Sequence, residues 1–372
     1  MVEWKKIEDI CDVFAGGDLP NNYIKANEPS AEYLYPIYSN GIGEKSLYGY
    51  SDSYRVNDAS ITISARGTIG YHTIRDPYFT PIVRLITLIP KNKNSINLSY
   101  LNEALYMTNI DGTKGGIPQL TVPVVSKISV PVPSLSEQQW IVGILDTFTS
   151  SIENLKEQIT QRRKQFDYFR DLLLDLEGKE EKDIHSWGEF AEMIKGNGVQ
   201  KVDFVEEGFG CIHYGQIYTH YGSFTYTTNK FVSKEVFDKA RKASKGDIIM
   251  TDTSENVEDI CKSVAYLGED DIAVSNHALI IKHHQNPKFL SYSTLTKSFF
   301  NQKRKVVVGV KVSGIKPEHL AQIKIYLPSL DEQLRIVSIL DTFEASIANL
   351  KAQLALREKQ YEYYRNKLLT FE

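Results

Sequence analysis

The sequence predicts an α+β protein with a pseudo-twofold internal repeat. Two globules with twisted, mainly antiparallel sheets are separated by two long helices that form an antiparallel coiled coil. Three observations carry this. Residues 133–177 return at 328–372, displaced by 195 positions without a gap, and 26 of the 45 positions are identical. Each copy carries an apolar seam whose steps alternate four and three. The segments before and between the copies hold short runs of β-branched and aromatic residues punctuated by Gly, Asn and Asp, the pattern of short strands and turns. The resulting plan is a globule at 1–132, a helix at 133–178, a globule at 179–327 and a helix at 328–372.

The helices come first because the repeat defines them. In the first, Ile141, Leu145, Phe148, Ile152, Leu155, Ile159, Arg162, Phe166, Phe169 and Leu173 follow the heptad steps. In the second, Ile336, Leu340, Phe343, Ile347, Leu350, Leu354, Arg357, Tyr361, Tyr364 and Leu368 keep the same register. Ser134 with Glu137, and Ser329 with Glu332, form capping-box patterns just after a proline. Gly178 supplies the residue that tolerates a left-handed stop. A seam two residues wide needs a partner, and the other copy has a matching one. Arg162 and Arg357 interrupt the seam at the same step; they either snorkel to water or set its register.

In the first globule, residues 4–14 read as a short helix or a strand entry, ending at Ala15-Gly16-Gly17. Short strands are predicted at 35–38, 60–64, 70–74 and 82–90, a helix at 100–107, and a polar loop at 113–121. In the second globule the run ending at Gly196-Asn197-Gly198 loosely echoes that opening. Strands follow at 211–218, 224–227, 247–251, 263–267 and 277–282, then a helix at 287–301 and a basic loop at 302–305. The globules have drifted apart in sequence while the helices have not. Off the seam, Gln138, Asn154, Lys164 and Arg170 recur as Gln333, Asn349, Lys359 and Arg365. A solvated helix surface is one account. The other is that each helix shows the same face to a copy of the same partner.

Composition narrows the function. The 372 residues can bury more than one core. No apolar run approaches a membrane span, and the first residues lack a signal-peptide core, so a cytoplasmic protein is expected. The three cysteines, Cys11, Cys211 and Cys261, are widely spaced, which fits a reducing compartment and argues against a CxxC zinc site. The net charge of −4 conceals a local feature: residues 272–317 contain no acid but seven lysines and Arg304. Phosphate binding needs such local patches rather than a high total charge. No P-loop, HExxH or clustered metal-ligand pattern is present. The string Asp76-Pro77-Tyr78-Phe79 lacks the second proline of an amine-binding methyltransferase turn and reads as an ordinary turn. Asp252, Glu255, Glu258 and Asp259 read as a solvated acidic loop. The expectation is a non-catalytic chain that binds no metal and carries no cofactor of its own.

The P-S-L-x-E-Q box opening a long helix, present twice and each time closing a variable globule, resembles the DNA-specificity subunit of type I restriction–modification systems. The resemblance spans the whole chain; the box is its strong part. Weaker matches inside the globules are ISARGTIG at 63–70, PQLT at 118–121, KGDI at 245–248 and VSN at 274–276. The second globule has KVSG at 311–314 in place of PQLT, so that loop's role is not transferred. The resemblance implies two target recognition domains, each reading half of a bipartite site in double-stranded DNA. It implies that the helices set the spacing and dock two methyltransferase subunits, which would hold S-adenosylmethionine, with restriction or translocase subunits as further partners. Candidate DNA-contacting residues are Ser39, Asn40, Arg66, Lys114 and Gln119 in the first globule. In the second they are His213, Tyr214, Lys303, Arg304, Lys305 and Lys311. Arg and Lys suit guanine, and Asn and Gln suit adenine. The eight recurring off-seam residues are the candidate docking face. The alternative is a coiled-coil scaffold whose globules bind protein or glycan.

Overall fold

The structure, a computed structural model, describes residues 2–108, 110, 119–307 and 313–371. The chain divides into two compact units: Met1–Lys156 with Ala352–Glu372, and Glu157–Lys351. Each unit is one globule together with a piece of each long helix.

The long helices are Leu135–Leu174 and Leu330–Leu369, 40 residues each, about 60 Å at 1.5 Å per residue. In the first unit, Ile141 and Leu145 share a core with Leu369, and Phe148 stacks on Tyr364 at 5.2 Å. In the second, Phe166 and Leu174 share a core with Ile336 and Leu340, and Phe169 stacks on Phe343 at 5.3 Å. Early residues of one helix meet late residues of the other in both units, so the pairing is antiparallel. Phe148 and Phe343 are repeat equivalents, as are Phe169 and Tyr364; the same aromatic pair is built twice. The seam arginines follow suit. Arg357 lies 5.7 Å over the Phe148 ring and Arg162 lies 5.9 Å over the Phe343 ring. Each covers an aromatic face while its head stays near water, which makes an arginine tolerable at a seam position.

The hydroxyl half of each capping box forms: Ser134 accepts from the Glu137 amide at 3.3 Å and Ser329 from the Glu332 amide at 3.4 Å. The return half differs from expectation in the second copy, where the Glu332 carboxylate holds Arg335 at 2.7 Å. Gly178, just beyond the first helix, sits at φ +76°, where a side chain would be strained.

The two globules share one plan despite their divergent sequences. In the first unit, strands Cys11–Ala15, Ile86–Pro90, Ser60–Ile63 and His72–Arg75 form an antiparallel sheet in that order. In the second, Ala191–Lys195, Ala278–His283, Ile248–Thr251 and Ser263–Tyr266 repeat it, with Phe224–Thr225 added in parallel. The strands Ser60–Ile63 and Ile248–Thr251 are buried at every position; Ile248-Ile249-Met250 reads as an apolar run, as both-face burial favours, whereas Ser60 and Thr62 alternate with isoleucines and are buried as well. A second sheet packs Tyr23–Ile24, Leu47–Ser51, Tyr35–Tyr38 and Thr80–Pro81 in the first unit. Its counterpart is Phe204–Val205, Lys230–Val232, Phe209–Ile212, Ile272–Val274 and Lys242–Ala243. Each of these sheets contains one parallel contact: Tyr35–Tyr38 with Thr80–Pro81, and Phe209–Ile212 with Ile272–Val274. "Mainly antiparallel" therefore holds, with the parallel pairs as the exceptions.

Four local expectations are corrected. The strand expected at 211–218 stops at Ile212, and the helix Tyr214–Thr219 follows it. Residues 4–14 are neither one helix nor one strand: strand Glu3–Lys6, a helical turn Ile7–Ile10 and strand Cys11–Ala15 follow one another. The helix expected at 287–301 is two helices, Pro287–Ser293 and Lys297–Val306, the second capped by Thr296. The expected basic loop at 302–305 is the last turns of that second helix, where Lys and Arg favour the exposed carbonyl end.

Candidate nucleic-acid interface

In the first unit the polar residues gather around a tight turn that precedes strand Ile86–Pro90. Val83 and Arg84 have φ of 53° and 61°. A β-branched residue at positive φ is a true outlier, so the surrounding structure must hold it there. It does so from several sides. The Val83 and Arg84 amides donate to the carbonyls of Gly17 and Gly16, at 3.0 and 3.1 Å. Asn40 donates its side-chain amide to the Val83 carbonyl at 2.9 Å and accepts from the Ala65 amide at 2.7 Å. A Cβ on Gly16 would lie 2.6 Å from the Pro81 carbonyl, so only glycine admits this approach. Beside the turn, Arg66 donates to the Gln119 side-chain oxygen at 3.0 Å, and the Leu120 amide bonds the Ala65 carbonyl at 2.9 Å. Arg66, Arg84, Gln119 and Thr121 thus share the lining of one small cavity of about 160 Å³. Arg55 lies against Gly17. Arg55, Arg66 and Arg84 are all exposed. Nearby along the chain, the exposed Tyr54 and Tyr78 pack edge to face at 4.9 Å.

The second unit builds the same place with other side chains. Ser275 donates its amide to the Ile212 carbonyl, as Ile82 does to Tyr38. Ile315 donates to Asp252 at 2.9 Å, as Leu120 does to Ala65. Gly196 stands where Gly16 stands: its amide bonds Ala278 at 2.8 Å, and a Cβ there would lie 2.3 Å from the Ser275 carbonyl. At the turn, His277 has φ +64° and is exposed. Its Nδ1 is 3.2 Å from the Thr253 hydroxyl, which donates to Asp252 at 2.7 Å. Asp252 is buried and pairs with Lys195 at 3.0 Å; it is not part of a solvated acidic loop. Tyr214 packs its ring against His277, 5.4 Å between centroids.

Residues 1–162 and 188–356 match the model of the type I restriction modification DNA specificity domain. The chain belongs to this family. It is 26% identical to the EcoR124I/EcoR124II specificity subunit of Escherichia coli, over 100% of this chain and 94% of that one. A Mycoplasma pneumoniae protein named as a type I specificity subunit is 36% identical over 44% of this chain, a match that spans 49% of that relative's length. The fold is similar to that of the type I S subunit from M. genitalium, with a TM-score of 0.57, 16% identity and coverage of 100% of this chain and 97% of that one.

In the first specificity domain, Arg66 and Gln119 are brought together, and Arg84, absent from the sequence candidates, joins them. Asn40 supports the turn with its amide, so that amide is engaged within the chain; Ser39 is half-buried beside it. In the second domain, His213 and Tyr214 occupy the places of Ser39 and Asn40. His213 is 6% exposed and accepts from the Gly215 amide at 3.1 Å, and burial lowers its pKa. Lys303 is 5% exposed, and its ammonium donates to the Glu258 and Ile260 carbonyls at 2.8 and 2.7 Å. Burial lowers its pKa too, and its charge is committed to holding the 255–261 loop. Arg304 and Lys305 are exposed on the helix Lys297–Val306. Lys114 and Lys311 lie outside the described residues.

The candidate docking face is revised. Gln138 and Gln333 are fully buried. Gln138 accepts from the Asn97 amide and donates to the Ser95 and Pro133 carbonyls, at 2.8, 3.0 and 2.9 Å. Gln333 accepts from the Asn286 amide and donates to the Gln285 side-chain oxygen and the Pro328 carbonyl. They recur because each clamps its helix to its own domain. Arg170 pairs with Asp167 and Asp171, while Arg365 lies over Tyr106 and Tyr361, so both are held within their units. Asn154, Lys164, Asn349 and Lys359 are exposed. Sequence reading missed Tyr168 and Tyr363, identical repeat equivalents that are 64% and 59% exposed. They stand four residues beyond Lys164 and Lys359, on the same helix face.

Proposed function

We propose that this chain is the non-catalytic sequence-reading subunit of a type I restriction–modification complex. Each specificity domain reads one half of a bipartite site in double-stranded DNA. The long helices carry methyltransferase subunits through the repeated face around Lys164, Tyr168, Lys359 and Tyr363. Those partners hold S-adenosylmethionine and perform the chemistry.

The observation that carries this reading is the contrast between frame and turn. Strand order, the Gly16/Gly196 approach and the Gln138/Gln333 clamp are the same in both units, whereas the side chains at the turn differ: Arg66, Arg84 and Gln119 against Thr253, His277 and Asp252. A frame held constant under changing polar groups is what two readers of different sequences require, because base edges are distinguished by donor and acceptor pattern.

The test is to exchange residues 1–132 for the corresponding domain of another family member and map methylated sites in cells that express the partner subunits. One half of the target is expected to change. A change in both halves, or in neither, would refute the two-reader reading. DNA affinity of the assembled complex is expected to fall steeply with salt, since phosphate contacts release counterions.

A further inference from the structure

We infer that the positive-φ turn is the base-reading finger of each specificity domain: Arg84 reads a guanine, and His277 reads a base that offers an exocyclic amine. This rests on the DNA-reading function proposed above and names the residues that set its specificity.

The two turns correspond in their supports, not in their sequences. In each, the glycine directly after the first sheet strand approaches the backbone closely: Gly16 at Pro81, and Gly196 at Ser275. In each, the segment that follows a strand of the second sheet backs the turn: Asn40 bonds the Val83 carbonyl, and Tyr214 packs on His277. In each, the strand beside it ends where another segment docks: Leu120 on Ala65, and Ile315 on Asp252. Left-handed backbone is rare for residues other than glycine, yet here it carries Arg in one unit and His in the other. Glycine would relieve the strain. A long polar side chain at this φ is useful only if the side chain itself does something, and both are exposed.

The chemistry of each finger follows from its neighbours. Arg66 donates to Gln119 within the wall of the cavity that Arg84 also lines. Among the described residues no acid lines that cavity, which leaves the planar fork of Arg84 suited to the paired acceptors of guanine. In the second unit the Thr253 proton goes to Asp252, so the Thr253 oxygen accepts from His277 Nδ1–H. With the proton on Nδ1, Nε2 is the acceptor of the ring, which matches the amine of adenine or cytosine.

The test uses the whole chain assembled with its methyltransferase subunits and S-adenosylmethionine, acting on a randomised duplex library whose methylated products are sequenced. Arg84→Asn and His277→Asn place at the turn a residue that accepts left-handed backbone, and thermal melts verify folding. Each is expected to relax selectivity about ten- to hundredfold at one base position in one half-site, leaving the other half unchanged. Arg84→Lys keeps the charge and a donor that suits guanine but loses the fork, so binding is retained and the guanine preference falls less than in Arg84→Asn. A uniform loss across all sequences would mark a phosphate contact and overturn the inference, as would relaxation in both halves; the DNA-reading function would stand in either case. Unselective methylation by the unmodified complex would instead overturn that function.

Discussion

Replacing Gln138 with Ala is expected to destabilise the first unit by about 3 kcal/mol. The side chain makes three hydrogen bonds to Asn97, Ser95 and Pro133, all between 2.8 and 3.0 Å, and is fully buried. Each such bond contributes about 1 kcal/mol net, and a buried donor left without a partner costs about 1–3 kcal/mol. The exposed donor is the amide of Asn97, the cap of helix Leu98–Tyr106, so the damage should spread to that helix. Gln138→Glu separates the contributions. It keeps an acceptor for the Asn97 amide but turns carboxylate oxygen toward two carbonyls, so it should be at least as costly at neutral pH and recover in acid. Urea titration gives the magnitude, and hydrogen exchange at residues 98–105 gives the location. A cost below about 1 kcal/mol, with methyltransferase binding lost instead, would refute the clamp and restore Gln138 to the partner face. Gln333→Ala should behave alike in the second unit.

Two further outcomes are expected. Burial holds the pKa of His283 down from 6.5 to about 4. Its Nε2 is buried without a partner among the described residues, while Nδ1 accepts from the Gln285 amide at 3.1 Å. For a base with a depressed folded pKa, the unfolded chain binds the proton first. Stability is therefore complete above about pH 6.5 and is lost as pH falls toward 4, by about 3 kcal/mol. Melting temperature against pH should show this slope in the wild type and a flatter one in His283→Gln; equal slopes would refute it. On the helices, Tyr168→Ala and Tyr363→Ala are each expected to lower methyltransferase occupancy by one subunit, read by native mass spectrometry, with little change in melting temperature because both rings are mostly exposed. Full occupancy in the double variant would exclude this face.

The long helices were legible because their information is local and repeated. A four-three apolar step, a serine before a glutamate and a glycine at the stop act within a few residues of themselves, and two copies at a fixed offset remove ambiguity. The seam also implied its partner, since Phe148 and Phe343 could be matched as equivalents before any contact was known. The strand-rich character of the globules was legible for the same reason. What the off-seam identities meant was not: Gln138 and Lys164 look alike as recurring polar residues, and only packing shows that one is buried against its own domain and the other faces water.

By itself, then, the sequence determined the repeat, the helices, the class of the globules and the family they resemble. Tertiary structure alone decided which residues meet. Arg66 and Gln119 are 53 positions apart, and Arg84 joins them through a turn whose left-handed backbone no propensity marks. Lys303 shows the converse: a lysine in a basic run, which local sequence assigns to phosphate, is drawn inside because two loop carbonyls need a donor. Periodicity reports on neighbours along the chain, whereas a binding surface is assembled from loops whose conformations are fixed by contacts far away in sequence. The equivalence of Arg84 and His277, where the two units share geometry and differ in chemistry, exists only at that level.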